Sequence, residues 1–492
     1  MKASEKPRWI VVCNFREFLV YDLEVPNGEP EQILLKDLPR DYYRLQFLVD
    51  QKNENIRREE EISIQAGKLV GKLYDAISPE YYLPSAGDEF LTGKNSRDLS
   101  ASQARSLNIL CVRIVFCLYA EDAGLFETRT SFEDYIKSFN LPNLRTGIIN
   151  LFKALDTKIE DRDKYDETLK PFPYVNGGLF RDEQIEIPNF TQEIVDVIVN
   201  HCAPFNWSEI SPTIFGAVFE STLNPETRRK GGMHYTSIQN IHKVIDPLFM
   251  DDLNEEFNNI KALPQNKTRD KKLEEFQDKI ANLNFLDPAC GSGNFLTETY
   301  ISLRKLENEI LFELSKGQIT MGLVTNPIKI SIKQFYGIEI NDFAVTVAKT
   351  ALWIAESQMI AETSEIIHRD IDFLPLKTSA KIQEGNALKM QWSEVDFVMG
   401  NPPFVGYTFQ TPQQKIDLQS LGIKSKNIDY VAGWYYKAAD FIKGTSIKCA
   451  FVSTNSICQG EQVAAIWKNL NVKINFAYRT FKWTSESNDM AQ

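Results

Sequence analysis

Between residues 284 and 477, five short apolar runs alternate with helix-length segments: 284–287, 334–340, 395–399, 448–453 and 472–477. Runs this short suit buried strands better than helices, and each interval leaves room for a crossover helix. The alternation predicts an open, doubly wound α/β sheet. In such sheets ligands bind beyond the carboxyl ends of the strands, where the strand order reverses. The residues closing these runs are therefore the first candidates for chemistry.

The chain upstream reads differently. Trp9-Ile10-Val11-Val12-Cys13 and Glu17-Phe18-Leu19-Val20-Tyr21-Asp22-Leu23 flank Asn14-Phe15-Arg16 as a β-hairpin. Pro26-Asn27-Gly28-Glu29-Pro30 then breaks the pattern. Ile62, Ile64, Ala66, Leu69, Val70 and Leu73 recur at mostly helical spacing, and residues 107–118 are apolar nearly all round, as in a buried helix. We expect three regions: a hairpin region over 1–54, a mainly helical domain over 55–205 and the α/β domain over 206–492. Residues 252–282, charged and helical, read as a solvated face.

Composition narrows the class. With 492 residues, 43% of them hydrophobic, the chain can build several cores and is neither disordered nor collagen-like. Its net charge of −12 argues against a protein that coats nucleic acid non-specifically. The seven cysteines form no Cys-x-x-Cys pair and the four histidines are not spaced as ligands, so no metal site is expected. An odd, unpaired cysteine set suits a reducing compartment, and a cytoplasmic protein is the expectation. The most membrane-like run, around 110–120, is interrupted by Arg113, and no membrane contact is expected.

Four strand ends carry candidate chemistry. Phe285-Leu286-Asp287-Pro288-Ala289-Cys290-Gly291-Ser292-Gly293-Asn294-Phe295-Leu296 reads as strand, glycine turn and helix start. Gly291 and Gly293 let a ligand approach the backbone, although an ordinary tight βα turn would look the same. It is not a dinucleotide fingerprint, because position 296 is leucine. Glu339 closes the next strand, and its carboxylate suits two ribose hydroxyls; a solvated strand-end acid is the plain alternative. Gly385-Asn386-Ala387-Leu388 is a third polar strand end. In Asn401-Pro402-Pro403-Phe404, two prolines fix the backbone so that the Asn401 side-chain oxygen and the Pro402 carbonyl can converge on one amine. Phe404 adds a flat face for an extruded base.

Taken in order, residues 287–295, Glu339 and Asn401-Pro402-Pro403-Phe404 resemble motifs I, II and IV of the amino-methylating DNA methyltransferases that use S-adenosylmethionine. The order is that of their gamma class, and Gly232-Met233-His234-Tyr235-Thr236 lies where that class has motif X. The similarity is closer to the MmeI-like (Type IIL) fused restriction–modification proteins. It is carried by the helical block Arg113-Ile114-Val115-Phe116-Cys117-Leu118-Tyr119-Ala120-Glu121-Asp122, by the aromatic loop at 172–180 and by Ile214-Phe215-Gly216.

The resemblance implies a Rossmann-like methyltransferase domain that transfers a methyl group from S-adenosylmethionine to N6 of adenine in double-stranded DNA. It implies cofactor contacts from Tyr235, Thr236, Asp287, Pro288, Ala289, Gly291, Gly293, Asn294, Phe295, Glu339, Ile340, Asn386 and Ala387. Asn401, Pro402, Pro403 and Phe404 would form the catalytic tetrad. Phe404 and Tyr407, with Phe481 or Trp483 in a segment resembling motif VIII, would clamp the flipped base. Many relatives have aspartate where Asn386 stands; an amide can still donate to a ring nitrogen of adenine and accept from its exocyclic amine. Cys290 lacks the Pro-Cys setting of cytosine-C5 enzymes and reads as structural.

Two features depart from the fused proteins. Only six residues precede the strand that normally follows a nuclease core, so that core is expected to be missing; Asp50-Gln51-Lys52 keeps only the bare acid-x-Lys spacing. After Trp483 the family continues into a last strand and a target-recognition domain, whereas nine residues remain here. A truncated or split protein is expected, with the recognition domain on a separate polypeptide as a partner. Three rival readings stand beside this one: a protein-glutamine methyltransferase, a catalytically impaired DNA-binding or assembly fragment of a defence system and, less favoured, cytosine-N4 methylation.

Overall fold

The computed structural model describes residues 9–14, 16–22, 30–38, 45, 51–81, 99–162, 167–175, 178–181, 185–213, 215–216, 219, 236–315, 327–367, 380–425 and 427–480. The chain divides into two compact units, Met1–Gln65 and Ala66–Gln492.

In the first unit, β1 (Trp9–Cys13), β2 (Glu17–Asp22) and β3 (Glu31–Leu34) form an antiparallel sheet in sequence order. Asn14 closes the first turn, its side-chain oxygen accepting from the backbone N–H of Arg16 and of Glu17, both at 3.0 Å. Val20 and Ile33 are buried while Ile10 and Val12 face outward. The sequence reading stopped at a hairpin. A third strand follows the proline-containing break, and most of that break (residues 23–29) lies outside the described residues. So does Asp50, while Gln51 and Lys52 open the helix α1 (Gln51–Ile77).

In the second unit, Ala66, Val70, Leu73 and Ile77 of α1 are buried at helical spacing. The helix α2 (Ala101–Asp122) opens on a capping box, Ser100 with Gln103. Among the described residues, α2 is the one helix long and apolar enough to cross a membrane by length and composition. Here it is a core helix, buried almost continuously from Ser106 to Glu121. Arg113, the charge that interrupts it, is itself buried. Its Nε donates to Leu179 O at 2.8 Å, and its guanidinium lies 5.2 Å and 5.6 Å from the ring centres of Phe152 and Phe180. The helices α3 (Ser131–Lys137) and α4 (Leu141–Asp156) complete this layer, onto which the aromatic loop folds through buried Phe172, Val175, Leu179 and Phe180.

After α5 (Gln192–Asp196) come α6 (Ile238–Ile245), α7 (Asp251–Lys261) and α8 (Lys267–Ala281). The sheet follows: β4 (Phe285–Asp287), β5 (Phe335–Glu339), β6 (Lys381–Glu384), β7 (Phe397–Gly400) and β8 (Lys448–Phe451). Its order is β6-β5-β4-β7-β8, and every pairing is parallel. The crossovers include α9 (Asn294–Ser315), α10 (Asp342–Ile366), α11 (Pro412–Ser420) and α12 (Ala432–Phe441); α13 (Gly460–Trp467) comes after β8. Together they form a doubly wound, Rossmann-like α/β fold, preceded in the chain by a helical region and an antiparallel sheet.

The helical layer and the sheet share one core: Phe116 meets Trp353 at a centroid distance of 5.3 Å, and Tyr119 OH donates to Ser357 Oγ at 3.3 Å. Register is fixed at the opposite end of the sheet from the glycine turn. Phe285, Phe335 and Phe397 stack in line, with centroids 5.4 Å and 5.6 Å apart, and Phe249 packs against two of them. From these starts the strands close at the same carboxyl end of the sheet, with Glu339 and its partner Glu384 two residues beyond the level of Asp287, which pairs with Gly337.

One strand expectation is corrected. Residues 472–477 are described but join no sheet; Ile474 is 59% exposed, and no neighbouring ladder accepts the alternating pattern. The fifth strand is instead β6, whose sequence Lys-Ile-Gln-Glu carries one apolar residue, Ile382, turned into the core.

Candidate functional site

The order of strands reverses between β4 and β7, and the candidate residues gather at the carboxyl ends there. Asp287 ends β4 buried, its Oδ1 accepting from Ala289 N at 2.9 Å. Burial pushes its carboxyl up to about 8, opposed by that N–H and reinforced by the Glu339 charge. Gly400 ends β7 directly against this carboxylate, and a Cβ at that position would overlap it.

The turn from Pro288 to Asn294 has both glycines at positive φ, +52° for Gly291 and +86° for Gly293. At Gly293 a Cβ would also meet Ala348 Cβ at 2.9 Å, so glycine there brings the turn onto α10. Gly291 N donates to Glu339 Oε2 at 3.0 Å, and Cys290 N to Ile338 O at 3.2 Å, tying the turn to the end of β5. The other Glu339 oxygen accepts from Asn341 N at 3.0 Å, beside Ile340, which is exposed. Asn294 is buried and its Oδ1 accepts from Ser292 Oγ; the Phe295 ring enters the core; Ala289 is half-buried. Cys290 Sγ packs against Gly337 of β5, where a Cβ would lie 2.8 Å away.

β6 is attached by Gly385 N donating to Glu339 O at 2.8 Å, and Asn386 follows half-buried. Ala387 is buried, and its carbonyl accepts from Trp392 Nε1 at 3.0 Å. Asn401 comes next after β7. Its Nδ2 donates to Thr236 Oγ1 at 3.2 Å, while its Oδ1 is buried without a hydrogen-bond partner among the described residues. Pro402 is buried and Pro403 exposed; Phe404 is 41% and Tyr407 42% exposed. The loop carrying these rings is strapped to one downstream segment: Tyr407 N donates to Asp429 Oδ1 at 3.1 Å and Tyr430 N to Val405 O at 2.9 Å.

Motif residues from all four strand ends thus converge, together with Thr236 from ahead of α6. Tyr235, Phe481 and Trp483 lie outside the described residues. Three supports come from distant segments that only folding brings near, and of these the sequence reading singles out Gly216 alone, without this contact. Gly216 sits against the turn, where a Cβ would be 2.7 Å from Ser292 O. Trp434 of α12 donates Nε1 to Pro288 O at 3.1 Å. His242 of α6 bridges Asp246 Oδ1 (2.8 Å) and Glu298 Oε1 (3.1 Å) of α9, and Glu298 also accepts from Thr213. The Glu298 bond, against the pull of burial, and then the Asp246 bond raise the imidazole to about 9.

These features define a class, a methyltransferase-fold protein with an Asn-Pro-Pro-Phe strand end beside its glycine turn. Three family descriptions match the chain: "MmeI, DNA-methyltransferase domain" over residues 263–492, "MmeI, helicase spacer domain" over 105–180 and "MmeI, N-terminal domain" over 1–79. The chain belongs to the MmeI-like, Type IIL restriction–modification family. It is 36% identical to DNA methyltransferase A of Bacillus subtilis (strain 168) over 508 aligned positions, which cover 99% of this chain and 54% of that protein. The solved structure of the Type IIL restriction–modification enzyme MmeI in complex with DNA matches with 40% identity and a TM-score of 0.74, over 87% of this chain and 56% of that one. The chain therefore spans about half the length of these relatives.

Proposed function

We propose that this chain is the methyl-transferring part of a DNA restriction–modification protein, using S-adenosylmethionine to methylate N6 of adenine in double-stranded DNA. The observation that carries the reading is the buried Asn401 Oδ1, without a hydrogen-bond partner among the described residues, at the sheet's switch point beside an exposed phenylalanine. A buried acceptor without a donor is costly, and an incoming amine would satisfy it.

The residues present fit the cofactor. Gly291 and Gly293 leave two positions of the turn without side chains, Glu339 offers a carboxylate for ribose hydroxyls, and Asn386 an amide for adenine. Bound there, S-adenosylmethionine supplies an electrophilic methyl group on a sulfonium. An aryl amine is a weak nucleophile because its lone pair is delocalised into the ring. Asn401 Oδ1 and the Pro402 carbonyl would accept its two hydrogens, localising the lone pair and directing it. Thr236 holds the Asn401 amide with its oxygen free for that task. Phe404 and Tyr407 present rings against which a flipped base stacks.

Incubating the purified chain with methyl-labelled S-adenosylmethionine and unmethylated mixed-sequence DNA, followed by nucleoside analysis, tests this. Label in N6-methyladenine is the expected result. Label in N4-methylcytosine would move the reading to another base. No transfer, with no cofactor bound in calorimetry, would remove it.

A further inference from the structure

Asn386 stands where many relatives have aspartate, yet a carboxylate does reach this strand end, from elsewhere in the chain. Asp417, on α11 beyond the Asn-Pro-Pro-Phe loop, is 1% exposed and accepts from Asn386 Nδ2 at 2.7 Å. Its remaining partners are Tyr430 OH at 3.2 Å, Gln413 Nε2 at 2.9 Å and Lys389 Nζ at 2.9 Å. Burial opposes its charge, but these four donors hold its carboxyl below the usual range, so it acts only as an acceptor. On the other side, Asn386 Oδ1 accepts from Leu388 N at 3.0 Å.

The consequence lies in the symmetry of an amide. A freely rotating asparagine reads adenine and its deaminated counterpart, hypoxanthine, equally well. In one orientation its N–H meets the adenine ring nitrogen and its oxygen the exocyclic amine; turned over, it meets the hypoxanthine ring N–H and carbonyl. An acceptor-only carboxylate on the nitrogen and an N–H on the oxygen forbid the second orientation. The Asn386 amide also faces the Tyr430 hydroxyl, and its carbonyl keeps a second lone pair for the exocyclic amine.

Building on the cofactor reading above, we propose that Asp417 is a positioning residue that locks the Asn386 amide and thereby makes the cofactor pocket select adenine over hypoxanthine. The lock also connects the two halves of the site. Asp417 is held by Tyr430, and Tyr430 N in turn holds the loop carrying Phe404 through Val405 O.

Binding of S-adenosylhomocysteine and of its inosine counterpart, S-inosylhomocysteine, to the full chain by calorimetry tests the lock. Wild-type protein is expected to prefer the adenosine compound by about tenfold or more, since a single mismatched hydrogen bond is worth about tenfold and the locked amide mismatches hypoxanthine at both contacts. Asp417→Ala should narrow that preference to about threefold, chiefly by strengthening the inosine compound, which the freed amide can now meet, while the Leu388 N–H keeps the rest of the bias. Tyr430→Phe, which removes one of the four donors and leaves the carboxylate, should narrow it part of the way. Asn386→Ala should abolish the preference, and adding Asp417→Ala to it should change the ratio no further. An equal loss for both compounds in Asp417→Ala overturns the lock. If that variant does not fold, an unchanged ratio in Tyr430→Phe overturns it instead. Wild-type protein that binds neither compound removes the cofactor reading itself, a result distinct from either.

Discussion

Asn401 and Thr236, 165 residues apart in the chain, share a hydrogen bond in which the amide nitrogen donates to the hydroxyl at 3.2 Å. This bond decides which end of Asn401 faces the pocket. Replacing Asn401 with alanine should lower the single-turnover methyl-transfer rate by about 10²–10³-fold, the scale for one transition-state hydrogen-bond partner. Cofactor affinity should stay within about twofold, since in the proposed reaction the amide meets the amine and not the cofactor. Thr236→Val, which frees the amide to turn over, should cost about tenfold in rate. Quenched-flow assays beside calorimetry separate the two quantities.

Phe404 is substantially exposed, so its ring contributes little to the fold. Phe404→Ala should leave the urea midpoint nearly unchanged, within about 0.5 kcal/mol. It should lower kcat/KM on DNA by about ten- to a hundredfold through lost stacking. Phe404→Trp should restore most of the rate. A destabilised but fully active alanine variant would assign the ring to the core instead.

Asp287 keeps its proton up to about pH 8 because it is buried and lies near Glu339. A carboxyl raised above its unfolded value of about 3.9 stabilises the fold fully below that pH. The contribution is lost as pH rises through 8. Urea midpoints of wild-type protein, measured without cofactor, should therefore fall between pH 4 and 8 relative to those of Asp287→Asn. Parallel pH profiles for the two proteins would refute the assignment.

His242 moves in a higher window. Raised to about 9 by Glu298 and Asp246, it stabilises most below its ordinary value of about 6.5 and loses that contribution as pH rises through 9. The ring is about one-third exposed, so screening leaves an effect on the order of 1 kcal/mol. The difference in urea midpoint between wild type and His242→Gln should be greatest at pH 6 and vanish near pH 10.

Much of the site was legible because it is local. Asn401-Pro402-Pro403-Phe404 and the Asp287–Phe295 turn carry their geometry in consecutive residues, through proline-fixed φ and glycines at positive φ. Less local features were read poorly. β6 has a single buried apolar residue and gives almost no periodic signal, while 472–477 alternates well yet finds no partner strand. Trp434 and Asp417 support the site from distant segments, and nothing beside them in the sequence announces it; Gly216 stood out only through the resemblance of residues 214–216, which did not place it against the turn.

The sequence by itself determined the sheet's character, its glycine turn and the tetrad, since short-range sterics and hydrophobic period act over a few residues. Only the tertiary structure decided which strand became the fifth, that a buried arginine belongs in α2, and that the carboxylate beside Asn386 comes from α11. The physical reason is the same in each case. A hydrogen bond or ring contact across many residues depends on which surfaces meet once the chain has closed, and no local pattern encodes that meeting.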